Sequence, residues 1–184
     1  MDDADVLRGV LAAYKTVMEA SWPHLHPAMK ERASGWATAG ADKLQAELQE
    51  YLQASAESDQ HVRVFWKVGT QFKFGGVNQL FARDAGFSNP ADLVGLDDFD
   101  RRLPWTHQAA KYRQDDEEVY KSGQPKLDIL ERQQSKTGIT WVRAGKAPIR
   151  KPNRDVVGIL GMYELLDAET GRKLFAERNL QKRK

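Results

Sequence analysis

At the start of the chain, apolar residues recur at helical spacing. Val6, Leu7, Val10, Leu11, Tyr14, Val17 and Met18 fall between Asp5 and Trp22. Within that set Leu7, Leu11, Tyr14 and Met18 alternate steps of four and three, the spacing of a seam between paired helices. Asp2, Asp3 and Asp5 stand at the helix start, where free amides and the dipole favour short acidic side chains. Pro23 and Pro27 interrupt the pattern. Met29, Ala33 and Trp36 predict a shorter helix before Gly40, and Leu44, Leu48, Tyr51 and Leu52 a third. The stretch 54–60 reads as a linker or a frayed end.

From His61 the period becomes two. Val62, Val64 and Trp66 alternate with Arg63, Phe65 and Lys67, a strand with both faces partly apolar. Gly69 to Gln71 turns the chain into a second strand at Phe72–Phe74. Asn78 can cap a short helix over 79–85, and Asn89-Pro90 opens another. A longer helix runs from about Thr106 to Lys121 and stops at Gly123. Three strands follow, over 126–133, 139–149 and 156–163, with hairpin-like joints at Ser135–Gly138 and Pro152–Asp155. A final helix spans 168–182, leaving the sheet with Leu174 and Phe175 on one side. The predicted class is α+β, an antiparallel sheet with short helices on one face.

Composition narrows the chemistry. Among 184 residues there is no cysteine, which excludes disulfides, thiolate nucleophiles, iron–sulfur clusters and cysteine-held zinc. The formal charge of +2 hides an asymmetry: residues 172–184 carry net +5, leaving −3 on the rest. A basic tail over an acidic body reads as a solvated helix end, so no nucleic-acid partner is expected. No apolar run approaches the roughly 18 residues of a membrane span. The acidic N-terminus is unlike a secretory signal, so no membrane insertion and a cytoplasmic location are expected.

The motifs Asn78-Gln79-Leu80-Phe81-Ala82-Arg83-Asp84-Ala85-Gly86, Gly95-Leu96-Asp97-Asp98-Phe99-Asp100 and Leu103-Pro104-Trp105 come in series. Tyr112-Arg113-Gln114-Asp115-Asp116, Ser122-Gly123, Gly138-Ile139-Thr140-Trp141, Lys146-Ala147-Pro148-Ile149 and Gly158-Ile159-Leu160-Gly161 follow. In this order and spacing, residues 62–164 resemble a PAS domain, the small sensory module of bacterial signalling proteins. The resemblance implies a five-stranded antiparallel sheet facing short helices, with a ligand pocket between them. It divides the chain into an N-terminal helical region (1–60, dimerisation or cap), a PAS domain (61–166) and a C-terminal signalling helix (167–184). One departure concerns the relay: the family commonly places an Asp-Ile-Thr-like junction after the last strand, and here stand Leu165-Leu166-Asp167.

In the strand 139–149, alternation separates large Ile139, Trp141, Arg143 and Ile149 from Thr140, Val142, Ala144 and Lys146. The resemblance puts the second set on the pocket side, with Ile159 and Tyr163. Phe81 and Tyr112 are the candidate walls from the helices. Glu131 and Lys146 are the charged candidates, together able to hold a polar or zwitterionic ligand. The bland alternatives are core packing for Tyr112 and snorkelling for Lys146. Trp141 and Arg143 then face outward, under the N-terminal helices or a partner subunit. They join Leu7, Leu11, Tyr14 and Met18 as the candidate dimer interface.

Bond-making chemistry is not expected. There is no Walker sequence, GxGxxG or HExxH. The carboxylates of 97–100 and 115–118 read as helix caps and a solvated face, and His24 and His26 as loop residues, so no metal site is assigned. Without cysteine the adduct-forming photosensors of the family are excluded. Haem or a non-covalent flavin stays open, although His107 lies at a helix start and reads as a surface residue. The expected function is a cytoplasmic, homodimeric sensory module that binds a small molecule and signals through helices to an output domain or partner. The larger protein would be a cyclic-dinucleotide enzyme, a histidine kinase or a transcription regulator. The alternatives are a ligand-free dimerisation or docking module, and a haem or flavin redox or gas sensor.

Overall fold

The structure is a computed structural model that describes residues 3–182, so Asp2 as a cap and the basic ending beyond Lys182 lie outside the described residues. Three N-terminal helices, α1 (Asp3–Ser21), α2 (Met29–Ala33) and α3 (Ala41–Glu57), precede strands β1 (Arg63–Val68) and β2 (Lys73–Val77). Then come α4 (Gln79–Asp84), two 3₁₀ turns at Pro90–Leu93 and Thr106–Gln108, and α5 (Ala109–Ser122). Strands β3 (Lys126–Ser135), β4 (Gly138–Arg150) and β5 (Val156–Leu166) lead into α6 (Ala168–Lys182). The five strands form one antiparallel sheet in the order β2-β1-β5-β4-β3.

Both faces of this sheet are buried, because alternate residues feed two separate cores. Val62, Val64, Trp66, Ala147, Ile149, Leu160 and Met162 pack against Leu11, Tyr14, Met18, Leu44 and Leu48 of α1 and α3. Phe65, Val142, Ala144, Ile159 and Tyr163 pack on the opposite side with Phe81, Trp105, Tyr112 and Val119. The double alternation of β1 is thus a strand buried on both sides. α1 lies close on β4: a Cβ at Gly9 would come within 2.5 Å of the Arg150 carbonyl oxygen, and one at Gly145 within 2.8 Å of Val17. Arg8 clips α1 to the next connector by donating to the carbonyls of Trp36 (2.9 Å) and Ala39 (3.0 Å).

The second strand, expected at Phe72–Phe74, is shifted to Lys73–Val77, and four further differences from the sequence reading have a visible cause. The stretch 54–60 is helical as far as Glu57, because Ser55 is buried, bonding the Tyr51 carbonyl (2.8 Å) and meeting the Tyr14 hydroxyl. β5 runs three residues further, since β4 offers partners up to the Trp141–Leu166 pair. The helix expected from Thr106 is split into a 3₁₀ turn and α5. Finally, α6 does not leave the sheet: it lies on the outer face, with Phe175 5.5 Å from the Trp141 ring.

The expected dimer seam is spent inside the chain. Leu11, Tyr14 and Met18 are buried in the outer core, and Leu7 packs partly buried at its edge. Trp141 does face outward, under α6, and Arg143 sits against Trp22 with an ion pair to Glu164 at 2.6 Å. In this fold Leu11, Tyr14 and Met18 are buried by their own chain, and Leu7, Trp141 and Arg143 are half-buried by it.

Candidate functional site

The inner face carries a cavity of about 40 Å³, bounded by the five strands below and by α4, the 97–105 loop and α5 above. Asn78 sets its helical wall. The side chain accepts from the Phe81 amide (3.2 Å) as the cap of α4 and from the Val64 amide (3.1 Å), and donates to the Val62 carbonyl (2.9 Å). One amide group therefore ties α4 to β1 and aims Phe81 at the cavity. Phe65, Phe74, Trp105 and Tyr112 complete an aromatic wall, with Phe81 5.3 Å from Trp105 and 5.1 Å from Phe65.

Beside the cavity four charges are buried together. Lys67, Asp98, Asp116 and Lys146 are only 2, 6, 0 and 4% exposed. Asp116 on α5 accepts from Lys67 (2.6 Å) with one oxygen and from Lys146 (2.8 Å) with the other. Asp98 accepts from Lys67 and from the Trp105 indole (2.9 Å). Burial alone would raise the Asp116 carboxyl, but Lys146 and Lys67 outweigh it and hold it below the usual carboxylate range. Burial pulls the Lys67 ammonium down, and Asp116 and Asp98 overcome that pull and raise it. Two cations and two anions balance, as buried charges must.

A second cluster closes the far end. Asp84 accepts from Arg63 (2.9 Å) and from the Tyr163 hydroxyl (2.7 Å), and Gln133 donates to that hydroxyl at 3.4 Å. Burial, and then the Asp84 charge, push the Tyr163 hydroxyl well above its ordinary value. Burial also raises Tyr112, whose hydroxyl donates to Gln108 at 3.1 Å.

Of the residues expected at a pocket, Phe81, Tyr112, Glu131, Val142, Lys146 and Tyr163 line the cavity. Ile159 is fully buried in the same core without lining it, and Thr140, half-buried two positions along β4, does not reach it. Lys146 does not snorkel to water, because Asp116 holds its ammonium inside. Its charge is thus satisfied, and Glu131 pairs across the strands with Val142, four residues or roughly 13 Å along β4 from Lys146. The two cannot clasp the ends of one compact zwitterion.

Phe65, Phe74, Asp98, Trp105, Gln133 and Ala144 also line the space. Asp98 and Asp116 stand in acidic runs that read as caps and a solvated face. Asp97 and Asp100 do cap turns, accepting from the Phe99 and Arg102 amides. Their neighbour Asp98 turns inward instead. The available signal was that lysines stood at inward-facing positions of β1 and β4, which require buried counter-charges.

A flavin or haem does not fit these residues. A cavity that takes benzene measures about 150 Å³, several times the space here. His107 is exposed on its 3₁₀ turn, and among the described residues no group of three potential ligands could hold a metal ion. His26 bonds the Tyr14 hydroxyl at 2.6 Å, and burial lowers its imidazole to about 4.

No family model and no curated protein sequence matches the chain. Solved structures do. The VqmA–ligand–DNA complex of Vibrio cholerae aligns over 55% of this chain and 46% of its own, at 22% identity and TM-score 0.50. A phage VqmA–DPO complex covers 74% and 60%, at 20% identity and TM-score 0.52. A light-oxygen-voltage domain, solved in work with a flavin analogue, covers 70% and 93%, at 14% identity and TM-score 0.52. These likenesses establish the fold, which is PAS-like. The chain spans about half the length of the VqmA proteins it matches. The expected absence of a nucleic-acid partner, inferred from an acidic body, is overturned as a rule for this fold, since a protein sharing it is solved on DNA. Net charge of a PAS-like body does not report on what a protein containing it binds. No helix among the described residues is long and apolar enough to cross a membrane.

Proposed function

We propose that this PAS-like chain is a sensory module that binds a compact ligand between sheet and helices and passes the change outward through α6. The observation that carries the reading is the inner cavity, where an aromatic wall and charged groups from the 97–105 loop, β3 and β4 converge. Signalling here is by binding, not by bond-making: ligand occupancy shifts the population of two arrangements in proportion to its affinity difference between them. β4 links the two sides, because Val142 and Ala144 line the cavity while Trp141, between Thr140 and Val142, carries α6 on the other face.

The DNA complex of VqmA supports a transcription regulator as the larger assembly, with a dimer as its working unit. In this reading the nucleic-acid contact belongs to a segment or partner other than the sensory body. The small cavity volume favours a second reading, a docking module with a filled core.

Val142→Trp separates them, measured by native mass spectrometry with a visible spectrum of the same sample. The sensory reading expects a folded variant, less stable by about 1–3 kcal/mol from overpacking, that loses any small mass held by the wild type. Neither protein should show a flavin or haem band. A folded variant that keeps its ligand overturns the site assignment. A wild type that takes up no small molecule leaves the docking module.

A further inference from the structure

Resting on the sensory reading, we propose that the cavity selects a compact cationic head group with N–H donors, of the amine or amidine class, and that Glu131 is its anchor. The charge inventory leads there. Lys67 and Lys146 are matched by Asp98 and Asp116, and Arg63 by Asp84. Among the described residues Glu131 is the one lining carboxylate without a buried cation. It is 9% exposed, and its Oε2 accepts no hydrogen bond.

The nearest positive group is the Lys111 ammonium, 3.2 Å from Oε2 but out of hydrogen-bond alignment, on a side chain 58% exposed. An ion pair with so exposed a partner contributes little in water, whereas a buried acceptor left without a hydrogen bond carries its full desolvation penalty. A ligand donor that displaces Lys111 therefore gains more than it loses. Charge-assisted N–H···O⁻ bonds are roughly twice as strong as neutral ones, and aromatic walls favour a cation over an anion. The volume sets the size. At about 10–15 Å³ per water-sized site, 40 Å³ takes roughly three or four non-hydrogen atoms, so a larger ligand places only its head group inside.

Guanidinium, urea and acetate are planar probes of four non-hydrogen atoms each that differ in charge. The experiment titrates each, at millimolar levels far below denaturing ones, while following the Trp105 indole N–H by NMR. That signal is identified by its loss in Trp105→Phe. Wild-type protein should bind guanidinium at least about tenfold tighter than urea, and acetate should leave the signal unmoved. Glu131→Gln, close in shape, should remove that preference while urea binding persists. Equal binding of guanidinium and urea by the wild type, binding of acetate, or a Glu131→Gln variant that keeps the preference overturns the proposal and leaves the cavity reading standing. No response to any probe, or a response unchanged by Val142→Trp, overturns the cavity reading and the proposal with it.

Discussion

Asp116 divides its two oxygens between lysines on strands that are not neighbours, since β5 runs between β1 and β4. Removing its charge leaves Lys67 with Asp98 and takes from Lys146 the carboxylate it pairs with. Asp116→Asn should therefore cost about 3–5 kcal/mol in urea unfolding, the range for breaking a buried pair from one side. The pH dependence follows from the directions of the shifts. A carboxyl held below its ordinary value near 4 contributes fully above that value and loses its contribution as pH falls through the lower folded one. Lys67 is raised, so its contribution is complete below about 10 and fades only as pH rises through its folded value. The difference in melting temperature between wild type and Asp116→Asn should thus stay level from about pH 4 to 10 and shrink on either side. A difference that disappears near pH 7 would refute the charge assignment. In the sequence this aspartate is one of four acidic residues in a row, and only the position of α5 over the sheet singles it out.

α6 is held to the sheet by a small contact. Gly171 presses on Trp141, where a Cβ would come within 2.2 Å of the indole, and Arg178 bonds the Asp128 carbonyl at 2.7 Å. Gly171→Leu should lift α6 from β4 while the inner core, on the other side of the sheet, stays intact. Limited proteolysis should then cut after Arg172 or Lys173 much faster than in wild type, and binding to the cavity should persist. Unchanged protection would place the helix elsewhere. The elements themselves were largely legible, because period and turn residues mark them. Gly123, predicted as the stop of the long helix, takes φ 66° there. The end of α3 was not, since Ala54, Ser55 and Ala56 carry little apolar periodicity and are fixed by Tyr14 from another helix.

For the molecule as a whole, the folding-back of the N-terminal helices matters most. They give the sheet a second core in the same chain, and the apolar seam of α1 becomes an internal surface. Leu11 is fully buried there, so Leu11→Glu should destabilise the protein by about 3 kcal/mol or more, as expected for an unpaired charge in a core. Analytical ultracentrifugation of a folded Leu11→Glu variant that only changes from dimer to monomer would restore the seam as an intermolecular contact.

The sequence by itself determined the element order, the α+β class and the split of Val142, Ala144 and Lys146 from their β4 neighbours, because local periodicity and backbone geometry encode them. The motif series carried the PAS resemblance, which implied that this set faces inward. It also named Phe81, Tyr112, Glu131, Lys146 and Tyr163 at the cavity, but not Phe65, Phe74, Asp98 or Trp105. Tertiary structure alone decided which carboxylates are buried, which charge is left over at Glu131, and what covers the outer face of the sheet. Those outcomes depend on distances between residues far apart in the chain. A pattern of apolar and polar positions says that a face is buried, but the partner that buries it is chosen only when the elements pack.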